Sequence, residues 1–214
     1  MEKIKMEIWS DVFCPYCYIG KTNLEAAIEE LGVSDKIELE WKSYQLKPGY
    51  KQVPGETANQ SLAKHLRITP ERARELNQQV SASAAQSGLN FNTDIMVWAD
   101  SFDAHRLIHF AATKGLSSAL KGSFFKAVFE EGKNLNNSDD LVLIAKSIGL
   151  EAEEVVQVLQ SDQFSREVCK DIEEAQVFGI QGVPTFVVNR EYAFSGAQPK
   201  NNFKQVLSQL LAES

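Results

Sequence analysis

Apolar and polar residues alternate over Ile4-Lys5-Met6-Glu7-Ile8-Trp9 and again over Ile37-Glu38-Leu39-Glu40-Trp41, the two-residue period of a half-buried strand. Between these runs the period lengthens to that of a helix. Pro15 stands where a first helical turn tolerates a missing amide. Ile19, Ala26, Ala27 and Leu31 then fall roughly on one face, and Gly32 supplies a left-handed cap. The pattern predicts β-α-β.

Pro48-Gly49 and Pro54-Gly55 mark turns out of that unit. Helical patterning then dominates for about a hundred residues. Thr69-Pro70-Glu71 is an N-cap followed by proline at the first helical position, with Gly88 closing the helix. Ser101 is placed to cap a second helix carrying Ala104, Leu107, Ile108 and Ala111 on one face. Ser138-Asp139-Asp140 opens a third with Gly149 behind it, and Glu151 through Leu159 gives a fourth. Phe124, Phe125 and Phe129 share helical spacing and read as core. Strand character returns in Thr185-Phe186-Val187-Val188 and Tyr192-Ala193-Phe194, close enough for a hairpin. Pro199 opens a last helix with Phe203, Val206, Leu207 and Leu210 on its inner face. No Gly-, Ser- or Pro-rich linker divides the chain, so the order β-α-β, helices, β-β-α predicts one sheet built from both chain ends.

The 214 residues suffice for a sizeable core. Twenty-two Lys and Arg against 29 Asp and Glu give a net charge of -7, which argues against nucleic acid, where clustered cations are needed to meet phosphates. No apolar run approaches a membrane span or a signal-peptide core, and a soluble, cytoplasmic protein without membrane partners is expected. Three cysteines make no disulfide framework.

Two of those cysteines bracket the expected helix start in Cys14-Pro15-Tyr16-Cys17. Such a pair can be a redox couple, half of a metal site, or two buried thiols. Zinc wants four ligands, and only Cys169 and three histidines remain. His105 and His109, one turn apart beside core-facing Leu107 and Ile108, lack a metal-binding motif. At a helix start the partial positive charge favours thiolate, so Cys14 is expected to be the exposed attacking thiol and Cys17 the resolving one. Asp11 would oppose that thiolate or simply cap the turn. Cys169 reads as a half-buried, inert thiol.

Cys14-Pro15-Tyr16-Cys17 on a β-α unit together with Gly182-Val183-Pro184-Thr185-Phe186 before a late hairpin resembles the thioredoxin superfamily, and the helical insertion resembles its DsbA group. Asp103-Ala104-His105-Arg106-Leu107, Glu131-Gly132-Lys133-Asn134 and Ser195-Gly196-Ala197-Gln198 are similar to motifs of the FrnE-type branch, whose relatives include 2-hydroxychromene-2-carboxylate isomerases. The resemblance implies an α/β thioredoxin fold with a large all-helical insertion. Residues 1–57 and 179–214 would form the thioredoxin-like domain and 58–178 the insertion. It further implies thiol–disulfide exchange through catalytic Cys14 and Cys17, with Pro184 as a cis-proline beside them, although an X-Pro bond taken alone is more often trans. Val183 and Thr185 would bind an extended substrate, and Trp98, His105 and Arg106 would line the cleft. Partners would be disulfide- or thiol-containing proteins or peptides. No cofactor is called for, with glutathione as an available redox partner. The alternatives are a glutathione-dependent isomerase or transferase, in whose branch a serine typically replaces the attacking cysteine, and a chaperone-like peptide-binding module.

Overall fold

The computed structural model describes residues 3–53 and 55–213. Its elements are β1 (Ile4–Ser10), α1 (Pro15–Leu31), β2 (Ile37–Ser43), α2 (Ala58–Leu66), α3 (Pro70–Gln86), α4 (Phe102–Ala112) and α5 (Ser117–Phe129). They continue with α6 (Ser138–Ser147), α7 (Ala152–Leu159), α8 (Ser165–Val177), β3 (Thr185–Val188), β4 (Tyr192–Ser195) and α9 (Lys200–Glu213). The strands form one sheet in the order β2-β1-β3-β4. β1 and β2 run parallel with Ile4 opposite Ile37, while β3 lies antiparallel on the other side of β1, with Met6 opposite Val188 and Trp9 opposite Thr185. Both chain ends therefore build the sheet, and the helical insertion lies between them in sequence.

β1 is buried on both faces rather than one. Ile8 and Phe186 belong to the main core, and Phe186 meets Phe203 of α9 edge-on at 5.1 Å. Trp9 and Val187 turn to the opposite face, where Ala175 of α8 covers them. The alternating polar residue Glu7 is consequently buried, and it has cationic company: Arg190 donates to it at 2.9 and 2.6 Å, and Lys42 Nζ lies 3.7 Å away. A buried carboxylate is tolerable only with such partners.

Helix starts follow local chemistry. Thr57 and Gln60 form a reciprocal capping box at α2, and Thr69 accepts the Arg72 amide at α3. At α4 the cap is not Ser101, whose side chain makes no capping bond; Asp100 accepts the Phe102 amide at 2.9 Å instead. Gly32 takes the left-handed conformation expected of it, with φ 64°. The buried face of α1 is rotated from the expected one: Cys17, Gly20, Lys21, Leu24 and Ile28 join Ile19 and Ala27, whereas Ala26 and Leu31 are only half-buried. The cause is packing on several sides, against α9, α3 and α5.

Beyond the four helices legible in the middle of the chain, the structure adds α2, α5 and α8. α5 shows no single stripe because it is buried nearly all round, through Leu120, Phe124, Phe125, Ala127 and Val128. Gly132 follows it with φ 65°, and a Cβ there would come within 2.6 Å of Ile95 O. That close approach seats the loop after α5 against the segment leading to Met96 and Trp98. Among the described residues no helix is long and apolar enough to cross a membrane.

Candidate active site

β1 ends at Ser10, and a tight turn carries the chain into α1. Asp11 builds that turn twice over: its carbonyl accepts the Cys14 amide at 3.1 Å, and its carboxylate accepts the amides of Phe13 at 3.3 Å and Leu46 at 2.6 Å. Cys14 is the helix N-cap in extended conformation, Pro15 follows, and the Cys17 and Tyr18 amides donate back to Cys14 O at 3.0 and 3.3 Å. Both cysteines are free thiols.

The expected exposure of Cys14 is not found: only 4% of its surface is accessible, and 1% for Cys17. The segment before β3 covers it. Val183–Pro184 is a cis peptide, and Cys14 Sγ donates to Val183 O at 3.4 Å across a sequence separation of 169 residues. Gly20 gives Pro184 its place, since a Cβ there would lie 3.3 Å from the proline ring.

Burial also reverses the expected acidity. Desolvation pushes the Cys14 thiol well above its ordinary value, with further upward pushes from the Cys17 sulfur and the Asp11 charge. Only the Cys17 amide, at the helix start, acts the other way. Asp11 feels burial as an upward force too, but the facing His105 ring, the Leu46 amide and the Lys121 ammonium outweigh it and hold the carboxyl below its usual range. His105 Nε2 lies 3.7 Å from Asp11 and donates to Tyr44 O at 2.9 Å, and burial lowers its own pKa. Lys121 is wholly buried and burial brings it down to about 8, opposed by the charges of Cys17, Asp11 and Cys14.

Cys14 forms part of the wall of a cavity of about 370 Å³, otherwise largely apolar, with Leu62, Val80, Trp98, Phe129 and Val183 among its walls. Trp98 stacks on Phe13 at 5.5 Å, and Lys47 Nζ sits 3.8 Å from its ring centre. A larger hollow of about 640 Å³ lies beyond Val183–Pro184, lined by Thr185, Arg190 and Tyr192. It touches neither cysteine, whereas the smaller cavity is lined by Cys14.

The sequence profile of the DSBA-like thioredoxin domain matches residues 5–208. The chain belongs to that family. It is 35% identical to a probable DsbA oxidoreductase of Streptomyces coelicolor, whose crystal structure superposes with a TM-score of 0.88 over 99% of this chain and 91% of that one. The fold alone is shared with a 2-hydroxychromene-2-carboxylate isomerase, 14% identical, TM-score 0.70, covering 98% of this chain and 97% of that one. It is shared likewise with the cytosolic disulfide reductase DsbM of Pseudomonas aeruginosa, 19% identical, TM-score 0.68, covering 98% and 100%, a protein whose structure is also known with GSH. The protein is thus a DsbA-like oxidoreductase with a thioredoxin fold and a helical insertion.

Within this DsbA-like frame, Trp98 and Val183 converge on Cys14, while other expected cleft residues do not. His105 is buried behind Asp11. Arg106 pins α4 to the turn after α7, donating from Nε to Gln163 O at 2.8 Å, from Nη2 to Val158 O and Ser161 O, and from Nη1 to Asp103 at 2.8 Å. Thr185 Oγ1 donates to Gly182 O at 2.8 Å and meets Ser195 Oγ at 2.9 Å, shaping the loop rather than facing the sulfur. Cys169 is exposed, not half-buried. Ser43, His109 and Asp171 lie together, but Ser43 Oγ and Asp171 Oδ2 both meet the same nitrogen, His109 Nε2, at 3.1 and 2.9 Å, so the ring cannot relay a proton between them. Sequence reasoning missed Lys121 and the walls Leu62 and Val80; a lysine directly after Leu120, three residues before the Phe124-Phe125 pair read as core, was the available signal for the first.

Proposed function

We propose that the protein exchanges electrons between the Cys14–Cys17 pair and a disulfide or thiol in an extended segment of a protein or peptide. The observation that carries this reading is the bond from Cys14 Sγ to Val183 O, which joins the dithiol to a backbone segment able to pair with another chain. In the resting protein the Val183 carbonyl holds the Cys14 proton. A substrate amide that takes this carbonyl as its acceptor releases the sulfur at the moment of docking.

In the reductive direction the Cys14 thiolate attacks a substrate disulfide, one substrate sulfur leaves as thiolate, and a mixed disulfide forms. Cys17 then attacks Cys14 Sγ, the second substrate sulfur departs, and the pair is left oxidised, two electrons having passed to the substrate. Pro184 and Val183 position the substrate, Trp98 meets its apolar side chains, and a thiol such as glutathione restores the dithiol. In the cytoplasm, where thiols are kept reduced, the work is reduction or isomerisation rather than net oxidation. The motifs around Asp103, Glu131 and Ser195 favour the FrnE-type branch.

Insulin reduction tests this: Cys14→Ser abolishes turnover, and turnover unchanged by it sinks the assignment. A second reading, glutathione-dependent isomerisation of a small aromatic molecule, is favoured by the apolar cavity of about 370 Å³ against Cys14. Turnover that requires glutathione and survives Cys17→Ala would select it.

A further inference from the structure

Lys121 reaches from α5, part of the helical insertion, to the Ser10 carbonyl that ends β1 just before the Asp11–Cys14 turn, and its setting is unlike that of the other buried lysines. Lys42 lies among Glu40, Asp171 and Glu174, and Lys21 is paired with Glu25. Lys121 Nζ donates to Ser10 O at 3.1 Å, and among the described residues no carboxylate lies within 4.0 Å of it. The rings of Phe125 and Trp41 stand 5.5 and 5.9 Å away. An ammonium has three hydrogens to donate, so this one is enclosed with donor capacity and charge to spare.

The groups that face it come from every neighbouring element. Cys17 belongs to α1 and Cys14 caps it, Asp11 lies in the turn before, Asp171 belongs to α8, and His105, which the Lys121 charge disfavours as a cation, to α4. Lys21 of α1 approaches the same Trp41 ring at 6.0 Å. α1 packs on α5, and Gly122 beside Lys121 lies against Lys21, one turn beyond Cys17, a Cβ there falling 3.3 Å from Lys21 Nζ; a thiolate on Cys17 would act on Lys121 ahead of Asp11. Cys17 must become a thiolate while almost fully enclosed, and an isolated anion there would be costly.

We propose that Lys121 is a positioning residue for the exchange, its buried ammonium being the counter-charge to the thiolate that forms on Cys17 when the mixed disulfide is resolved. The inference rests on the dithiol exchange proposed above. In that step Cys17 gives up its proton, which the substrate thiolate released earlier takes up. The Cys17 sulfur bonds to Cys14 Sγ, the bond from Cys14 to the substrate breaks, and its electron pair leaves on the second substrate sulfur, which gains a proton from water. Lys121 is neither consumed nor oxidised.

The experiment follows release of the second thionitrobenzoate after the full-length reduced protein reacts with Ellman's reagent, across pH 6 to 10, in wild type, Lys121→Gln and Lys121→Met, each carrying Cys169→Ser because the exposed Cys169 thiol would release thionitrobenzoate of its own. Gln keeps a donor for Ser10 O without the charge, so a merely structural lysine would be replaced. The expected result is resolution at least about tenfold slower at pH 7 in both variants, with the pH profile displaced upward by about one unit. A Lys121→Gln protein with the wild-type rate and profile overturns the inference while leaving the exchange intact. A wild-type protein that releases no second thionitrobenzoate removes the exchange itself. Should neither variant fold, lysine side-chain NMR on the wild-type protein decides: Lys121 titrates at lower pH in the oxidised than in the reduced form, and equal midpoints overturn the inference.

Discussion

The Asp11 carboxylate accepts the Leu46 amide at 2.6 Å, tying the turn that presents Cys14 to the chain leaving β2. The same carboxylate raises the Cys14 thiol. One side chain therefore both braces the site and holds back its reactivity.

Asp11→Asn separates these effects. The folded-state pKa of Asp11 is depressed, so its contribution is fully present above about pH 4, the unfolded value, and is lost as pH falls through the lower folded value. Urea unfolding at pH 7 is expected to show a loss of about 2 kcal/mol, typical of a charged buried hydrogen bond. The acid limb of the stability curve should be shallower than in wild type. Alkylation of Cys14 at pH 8 should become faster, and slowing on loss of the charge would contradict the electrostatic account.

Cys14 itself should behave as a masked thiol. Burial raises it, and the thiol hydrogen is engaged by Val183 O. Only the thiolate is nucleophilic, so iodoacetamide modification of Cys14 in the reduced protein is expected to rise about tenfold per pH unit from 7 to 8 and to reach half its plateau above the ordinary thiol value of about 8.5. A plateau already reached below pH 7 would show that the helix start outweighs burial.

The contrast with the sequence expectation is instructive. The position of β1, the Thr69 cap and the Gly32 cap are local, and each is found where the pattern put it, although β1 is buried on both faces rather than one. The two halves of the site were legible because both are short motifs. Their consequences were not, since the cover over Cys14 comes from a segment 169 residues away. His105 and Arg106 carry groups that suit a cleft, and spacing does not say which neighbours stand on their face of α4. Gly132 belongs to a motif whose reason is steric, a contact with Ile95 that no periodicity reveals.

Arg106→Ala should therefore damage the fold and spare the chemistry. The guanidinium bonds three backbone carbonyls around the turn after α7 and makes none of these bonds to the turn that carries Cys14. Its removal takes the side-chain donor from Gln163 O and Ser161 O, while Val158 O keeps the hydroxyl and amide of Ser161, a loss expected to be about 3 kcal/mol. Insulin-reduction turnover per folded molecule should be unchanged, and a fall in kcat at temperatures where the variant is fully folded would return Arg106 to the cleft.

Trp98→Ala should act on the cavity instead. The indole forms part of the wall beside Cys14, stacks on Phe13, and lies against the Lys47 ammonium. Truncation costs about 3 kcal/mol of stability as the low end for a buried aromatic. It also enlarges a cavity whose apolar lining would otherwise take substrate side chains. The expected kinetic signature is a raised KM for peptide disulfides carrying aromatic side chains, with little change for the small substrate hydroxyethyl disulfide, which does not fill the cavity. Lys47 supplies an independent readout. Burial holds it down to about 8, and opening the wall to water should return its titration toward the ordinary lysine value of about 10.4. If KM rose equally for both substrates, Trp98 would be acting through the thiol and Phe13 rather than through substrate contact.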